Sequence, residues 1–332
     1  MTGSPQEPDP DEPRYPASRV PATHLGRYRH HYLLGAAALL ASLLLPQLVQ
    51  TPDTPPAGDL LSVEEPPGDR DLALIEADHD ATIVVKSPGD DHSGRLSPDE
   101  QWIAFVSRQS GFDELWVAAT DGATERRLTR FDGATVRYPD WHRDGTRILI
   151  TVQADAAERL YEVGIESGSV TEIGTGFLDV TTPRWVEGGW VAGCRDADAW
   201  GICFGDAAGT RKIADGYYRP APAGLGNVYV VDDRGGFYNL SLADGSATKV
   251  LDGLPGRGRY GWEVDEGNLY FLARGEIDNT GRLMKVDLGG GEPETIYTGA
   301  MPVEDTTISI GRSSGRVLIT LYQPSSDYPV FE

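Results

Sequence analysis

The chain has 332 residues, of which 40 are glycine and 23 are proline, and this composition favours many turns over long helices. Its 51 acidic residues against 29 basic ones give a formal net charge of −22 at pH 7. A chain this anionic is repelled by phosphate backbones and by anionic lipid surfaces, which argues against nucleic-acid binding by the bulk of the protein.

The N-terminal part divides into three segments ahead of a folded domain. Residues 1–31 are rich in proline and poor in large aliphatic side chains, which predicts a disordered segment. Residues 32–49, YLLGAAALLASLLLPQLV, carry no charge and predict a single transmembrane helix. Residues 50–71 return to a proline-rich, acidic composition that is typical of a linker, and residues 72–332 are predicted to form the folded domain.

The apolar segment has two other interpretations, a cleaved signal peptide and a buried helix of a soluble domain. A preceding region of about thirty residues is long for a signal peptide, no small-x-small cleavage motif follows, and both flanks look disordered. Arg27 and Arg29 lie just before the segment, whereas no Lys or Arg follows it until Arg70. The positive-inside rule therefore predicts a single-pass membrane protein whose N-terminus is cytoplasmic and whose residues after Gln50 lie on the other side of the membrane.

The remaining sequence repeats one pattern about every forty residues. Each unit has an opening strand, a Gly- or Asp-containing turn, an apolar β-branched strand, a polar loop, another strand, a Gly turn and a short polar strand. The units begin at Leu96, Tyr138, Thr182, Arg219, Tyr260 and Thr307. This period is typical of a four-stranded propeller blade, so we predict an all-β, six-bladed β-propeller, with five or seven blades as alternatives.

Closure of the ring is predicted from the two ends of the repeat region. The last unit has no certain final strand, and ATIVVKS (residues 81–87) precedes the first unit. If this segment pairs beside residues 328–331, the first and last units share one blade and the ring has no open sheet edge.

The two cysteines, Cys194 and Cys203, lie in GWVAGCRDADAWGICFG, where two apolar strands flank an Asp-rich turn. Such a pair on adjacent strands of an exported domain lies close enough for a disulfide, which we predict, with two buried free thiols as the alternative. A zinc site lacks partners, because only three His residues follow the apolar segment. Trp200, in the polar loop between the cysteines, is a candidate exposed contact, whereas most other tryptophans recur at positions expected for blade cores.

One motif resembles a catalytic one. GRSSG (Gly311–Gly315) matches the G-x-S-x-G nucleophile elbow, but that elbow needs a strand–turn–helix and a later His, and no His follows His142. We predict a hairpin turn there and no nucleophile at Ser313. The clusters at residues 76–80 and 89–94 lack the spacing of a calcium loop and predict solvated loops. The sequence therefore predicts a protein that is not an enzyme, with no cofactor and no metal.

The first two units carry a family resemblance. LSPDEQWIAFVS, ELWVAATDGATERRLT and YPDWHRDGTRILIT are similar to the Ser-Pro-Asp-Gly propeller repeats of the TolB-like family, a resemblance that covers residues 81–332 and weakens in the third and fourth units. The wider layout resembles the membrane and periplasmic part of CadC/ToxR-like transcriptional regulators. Their winged-helix domain does not fit into residues 1–31, so DNA binding is not carried over.

These resemblances imply a propeller in the bacterial periplasm that is anchored in the inner membrane and senses a signal or binds proteins. They imply envelope or regulatory proteins as its partners. The alternative is a TolB-like envelope scaffold without a signalling role. A hydrolase is a further and less favoured alternative.

Overall fold

The computed structural model describes residues 69–259, 261–275, 280–304 and 306–323. Within these residues, six four-stranded antiparallel sheets account for the regular structure, apart from one short 3₁₀ helix at Pro255–Gly258. The predicted disordered segment, the transmembrane helix and most of the linker lie outside the described residues. In the described part, no helix is long and apolar enough to span a membrane.

The strands are numbered in chain order, and each blade is given from its inner to its outer strand. The chain begins with β1 (Arg70–Ile75) and β2 (Ala81–Val85). Blade 1 contains β3 (Asp91–Leu96), β4 (Trp102–Ser107), β5 (Glu114–Ala119) and β6 (Glu125–Arg127). Blade 2 contains β7 (Thr135–Trp141), β8 (Arg147–Ala154), β9 (Ala157–Gly164) and β10 (Val170–Glu172). Blade 3 contains β11 (Asp179–Val186), β12 (Gly189–Arg195), β13 (Trp200–Asp206) and β14 (Gly209–Asp215).

Blade 4 contains β15 (Tyr217–Pro222), β16 (Asn227–Asp232), β17 (Phe237–Ser241) and β18 (Ala247–Leu251). Blade 5 contains β19 (Trp262–Asp265), β20 (Asn268–Arg274), β21 (Thr280–Asp287) and β22 (Glu294–Ala300). Blade 6 contains β23 (Ser309–Ile310) and β24 (Val317–Tyr322), followed by β1 and then β2. The inner strands of neighbouring blades contact one another all the way round, from β3 through β23 and back to β3. The predicted six-bladed propeller is therefore confirmed.

Both ends of the described chain contribute to blade 6. β1 pairs with β24 from Arg70 opposite Tyr322 to Ile75 opposite Val317, and β2 pairs with the other edge of β1. The predicted sharing of one blade by the first and last units is thus confirmed. The strand that closes the ring, however, is β1. It was not predicted from the sequence, because its first residues, Arg70 and Asp71, were assigned to the linker. The predicted partner of β2, residues 328–331, lies outside the described residues.

The ring is held together by apolar side chains between the blades. Among the described residues there are six hydrophobic clusters, one at each interface between neighbouring blades. The second strand of a blade is covered on both faces, which is why a run such as Ile103, Ala104, Phe105 and Val106 is buried without alternation. In blade 6, successive residues of β1 pack against different neighbours. Leu72 packs towards blade 1, and Ala73 packs towards blade 5.

The first four inner strands share a bulge at one position. In each bulge one residue has a positive φ and the next is glycine or proline; these pairs are Ser93–Gly94, Tyr138–Pro139, Thr182–Pro183 and Arg219–Pro220. Proline is tolerated there because an inner strand has a sheet neighbour on one edge only. A bulge changes the direction of the side chains that follow it. In three of these strands the next residue is charged, namely Arg95, Asp140 and Arg184.

Asp71 on β1 is a buried carboxyl group whose oxygens have no hydrogen-bond partner among the described residues. Burial raises the pKa of Asp71 to about 6, with Lys86 opposing and Asp69 adding to the shift. The fold therefore favours the protonated carboxyl. The stability that this proton contributes is fully present below about pH 4 and is lost as the pH rises through 6.

Asp71→Asn is expected to increase the free energy of unfolding at pH 8 by up to about 3 kcal/mol and to change it little at pH 4, because the amide is neutral at both values. Urea unfolding at the two pH values measures the difference. Asp80→Asn, at an exposed position beyond the same strand, is the matched control. An equal effect of Asp71→Asn at both pH values would show that the carboxyl is not forced to ionise inside the fold.

Candidate functional site

The inner strands surround a channel with a wide cavity at each end and a narrow waist between them. At the face where each inner strand turns into the second strand, the cavity has a volume of about 590 Å³; we call it the AB vestibule. At the face where each outer strand leads to the next inner strand, the cavity measures about 710 Å³; we call it the DA vestibule. The waist between them holds only about 30 Å³.

A buried ion network separates the AB vestibule from the waist. Glu263 accepts hydrogen bonds from Arg184 Nη1 at 2.8 Å and Nη2 at 3.2 Å, and another from Arg95 Nη1. Asp140 Oδ1 lies 2.9 Å from Arg184 Nε, and Asp140 Oδ2 accepts a hydrogen bond from the backbone N–H of Trp185 at 2.8 Å. All four charged side chains are at most 13% exposed. They come from blades 1, 2, 3 and 5, so the network ties inner strands across the channel.

Within this network, Glu263 and Arg184 each stabilise the charged form of the other. Burial opposes ionisation of Glu263, but Arg184 and Arg95 outweigh it and lower the pKa of Glu263 to about 2. Burial likewise opposes the charge on Arg184, yet Glu263 and Asp140 raise its pKa. Arg95 differs, because burial and the neighbouring Arg184 lower its pKa. Glu263 and Arg184 therefore remain charged at neutral pH and form a fixed floor for the AB vestibule.

The wall of the AB vestibule presents aromatic and aliphatic surface. The rings of His142 and Trp185 meet edge to face with centroids 4.6 Å apart, and the Arg147 guanidinium lies 5.0 Å from the centroid of Trp185. At the rim, Leu225 stands at the tip of the β15–β16 turn and is 83% exposed. Arg312, on the same rim, has a side chain that is 77% exposed. An open cavity with fixed aromatic groups and a mixed rim is suited to binding a protein segment.

The DA vestibule contains the predicted contact residue Trp200. Trp200 begins β13, is partly exposed and lines this cavity, with the Arg195 guanidinium 6.0 Å from its ring centroid. Asp232 and Asp233 lie on the same wall. The contact role of Trp200 stays a prediction.

Cys194 on β12 and Cys203 on β13 are fully buried free thiols. Cys194 lies opposite Gly201, and Cys203 opposite Ala192, so the cysteines are diagonal neighbours on one face of the sheet. Cys203 Sγ approaches the carbonyl oxygen of Ala192 at 3.6 Å. Burial, with the adjacent Cys194 thiol, raises the pKa of Cys203. The predicted disulfide stays a prediction for the protein in an oxidising compartment.

The GRSSG segment is a hairpin turn, as predicted. It joins β23 to β24, and Glu100 of blade 1 accepts a hydrogen bond from the backbone N–H of Ser313 at 2.6 Å. The motif thus links blades 1 and 6.

The predicted solvated loop at residues 89–94 is wrong, because these residues lead into β3, where Asp91 and Ser93 are buried. Sequence reasoning also missed a Ser–His–Asp arrangement there. His92 Nδ1 lies 3.0 Å from Ser93 Oγ, and His92 Nε2 lies 3.9 Å from Asp113 Oδ1. Ser93 is only 3% exposed, so its hydroxyl is not accessible to a substrate, and a nucleophile requires access.

The comparisons with known proteins agree with this architecture. No family model matches the chain. A stretch of 112 residues is 28% identical to the Tol-Pal system protein TolB of Ruthia magnifica subsp. Calyptogena magnifica. This match covers 32% of the chain and spans about a quarter, 26%, of that relative.

Two solved structures support the fold. TolB from Acinetobacter baumannii superposes with a TM-score of 0.55 at 13% identity, over 77% of this chain and 64% of that one. The chain has a TolB-like six-bladed β-propeller fold. A chain of the nidogen/laminin complex shares the fold, with a TM-score of 0.55 at 14% identity over 72% of this chain and 97% of that one. At these identities the likeness shows the fold alone.

Proposed function

We propose that the protein is a non-enzymatic, protein-binding module of the bacterial envelope, with its propeller in the periplasm and its partner bound at the AB vestibule. The observation that carries the proposal is the vestibule itself, an open cavity of about 590 Å³ above a floor of buried ion pairs. The match to the Tol-Pal system protein TolB supports an envelope role. The same fold occurs in a nidogen/laminin complex, which is compatible with protein binding.

The vestibule offers a protein partner a rigid aromatic anchor and an exposed apolar side chain at the rim. Trp185 is an aromatic anchor already fixed by His142 and Arg147, so binding costs little side-chain entropy. Leu225 lies between Gly224 and Gly226, both with positive φ, and projects apolar surface at the rim. A partner residue that covers Leu225 removes apolar surface from water, and the charged rim fixes its orientation.

The proposal includes membrane attachment through the predicted helix at residues 32–49, with the N-terminus in the cytoplasm. The layout that resembles CadC/ToxR-like regulators favours a sensing role, in which partner binding outside is transmitted through this helix. A TolB-like scaffold without signalling is the second candidate, and the TolB match favours it. Both roles use the same docking site. The burial of Ser93 argues against the third candidate, a hydrolase.

Leu225→Asp is expected to reduce capture of an envelope partner at least tenfold, because it places a charge where apolar surface is to be covered. The measurement is quantitative mass spectrometry of proteins that co-purify with the tagged chain from detergent-solubilised envelopes of the source bacterium.

Leu178→Asp is the matched control, since Leu178 is 48% exposed and lies just before β11, at the DA face. Equal capture by the wild type and Leu225→Asp, or loss in Leu178→Asp alone, would contradict docking at the AB vestibule.

A further inference from the structure

A second cavity opens beside the AB vestibule, between blades 4 and 5. It has a volume of about 370 Å³ and lies between the turns that follow β15 and β19. We call it the side groove. Gly224, Asp265 and Arg312 line both the side groove and the AB vestibule, so the two cavities adjoin. Leu225, the exposed apolar residue at the rim, stands on the turn that borders both of them.

The side groove contains a carboxylate that has little compensation. Asp265 ends β19 with a side chain that is only 16% exposed, and its single ionic contact among the described residues is Arg312 Nε at 3.9 Å. The Arg312 side chain is mostly in solvent, and an ion pair that depends on such a side chain contributes little. In the described part of the chain, no hydrogen bond reaches the carboxylate of Asp265 or of its exposed neighbour Glu266.

The charges around Asp265 are mostly negative. Burial raises the pKa of Asp265, and Arg312 opposes this shift. Glu266, Glu263 and Glu100 add to the shift, because each repels a second negative charge. A cation that enters the side groove therefore stabilises the ionised carboxyl group, and an anion is repelled from it.

The AB face as a whole has the same sign of charge. Nine of its twelve turns, all of which are described, carry an aspartate or a glutamate, whereas two carry an arginine and none carries a lysine. Glu166, Glu187 and Glu292 are exposed on this face and form no ion pair or hydrogen bond with the described residues. At the DA face, by contrast, several described acidic turns also carry a basic residue, as at Lys86, Arg108, Arg130 and Arg234.

We propose that the partner docks at the AB vestibule through a basic segment, which places a lysine or arginine side chain in the side groove beside Asp265 and an apolar side chain on Leu225. This inference rests on the proposed function and names the charge of the partner. Asp265 is largely shielded from water, so its attraction for a cation is screened less than that of a carboxylate on an open surface. The acidic turns of the AB face attract a basic segment over longer distances and raise its rate of association.

Binding of two short labelled peptides to the purified full chain tests the charge of the partner. One peptide has a leucine flanked by two lysines on each side, and the other has glutamates in place of the lysines. Fluorescence anisotropy is expected to show binding of the lysine peptide alone, weakened at least fivefold when sodium chloride is raised from 20 to 200 mM. No binding of the lysine peptide, or equal binding of the glutamate peptide, would overturn the proposal.

Asp265→Asn and Glu266→Gln each remove one charge of the side groove at almost unchanged side-chain size, and each is expected to weaken binding of the lysine peptide at least threefold. Glu266 is exposed, so Glu266→Gln keeps the test decisive if Asp265→Asn fails to fold. Asp155→Asn and Asp198→Asn, at exposed turn positions of the DA face, are the matched controls and are expected to leave binding unchanged. Equal weakening by these controls would show that the peptide responds only to net charge, and the proposal would fail.

Capture of the envelope partner distinguishes a failure of this inference from a failure of the proposed function. Asp265→Asn and Glu266→Gln are expected to reduce capture of the same protein that Leu225→Asp loses. If Leu225→Asp reduces capture and the two groove variants do not, the partner docks at the AB vestibule without a basic segment, and only this inference is overturned. If none of the three variants reduces capture, docking at the AB vestibule is itself contradicted.

Discussion

Glu263→Ala is expected to lower the free energy of unfolding by about 3–5 kcal/mol, because it leaves two buried guanidinium groups without their shared carboxylate. Glu263 is 5% exposed and contacts both Arg184 and Arg95. Urea unfolding followed by tryptophan fluorescence measures the loss. Glu187→Ala, at an exposed position of the same vestibule, is the control and is expected to change stability by less than about 0.5 kcal/mol.

Glu263→Ala should also change how the free energy of unfolding depends on pH in acid. The pKa of Glu263 is lowered to about 2 from an ordinary value of 4.5, so its ionisation contributes stability that is present above about pH 4.5. This contribution is lost as the pH falls towards 2. The difference between wild type and Glu263→Ala should therefore shrink below pH 4. A constant difference, or a loss no larger than that of Glu187→Ala, would show that the network does not hold the inner strands together.

Ala73→Pro is expected to destabilise the whole propeller by about 3 kcal/mol or more, because it removes ladder hydrogen bonds from the strand that closes the ring. Ala73 is fully buried, lies opposite Ile319 of β24 on one side and Ile83 of β2 on the other, and packs towards blade 5. Hydrogen exchange should show loss of protection in β24 and also in the strands of blades 1 and 5 that pack on blade 6.

Thr82→Pro is the control for closure, since Thr82 lies in the outer strand β2 and is exposed. Its effect should stay within β2 and its pairing with β1. If Ala73→Pro affected exchange only in β1 and β2, the blades would behave as a linear array in which each unit depends on its neighbours alone.

The blade architecture was predictable because it rests on local patterns. Turn residues and short apolar strands recur at a fixed period, and each unit is folded largely by its own hairpins. β1 was missed because its opening residues, Arg70 and Asp71, follow directly on the acidic linker and continue its polar composition. The buried state of residues 91–94 was missed for a related reason. Their polar side chains suit a loop, and it is the pairing of β3 with β4, where Asp91 lies opposite Ser107, that buries them.

The channel floor was not predictable, because its members come from different repeats. Arg95 and Glu263 are 168 positions apart, and neither belongs to a motif with its own spacing. The bulges that direct Arg95, Asp140 and Arg184 had a sequence signal in the Tyr-Pro and Thr-Pro pairs that open units 2 and 3. Proline inside a strand indicates an edge strand or a bulge. Which side chain a bulge directs towards the channel axis depends on the register between the inner strand and the second strand.

The AB vestibule also lacked a local signal. Its wall and rim are assembled from the ends of six inner strands, so Trp185 and Leu225 become neighbours of one cavity only when the ring closes. Trp200 was identified from its polar surroundings and lies at the opposite face. Composition can therefore indicate an exposed aromatic residue, whereas the fold is needed to say which face of the propeller it occupies.

Site-specific photo-crosslinking in the living source bacterium decides whether a partner docks at the AB vestibule. A benzoylphenylalanine placed at Leu225 or at Arg143, on the rim of the AB vestibule, is predicted to form an adduct with one and the same envelope protein. The same probe at Leu178, at the DA face, is predicted to form none. An adduct from Leu178 alone, or no adduct from Leu225 and Arg143, would contradict the AB vestibule as the docking site.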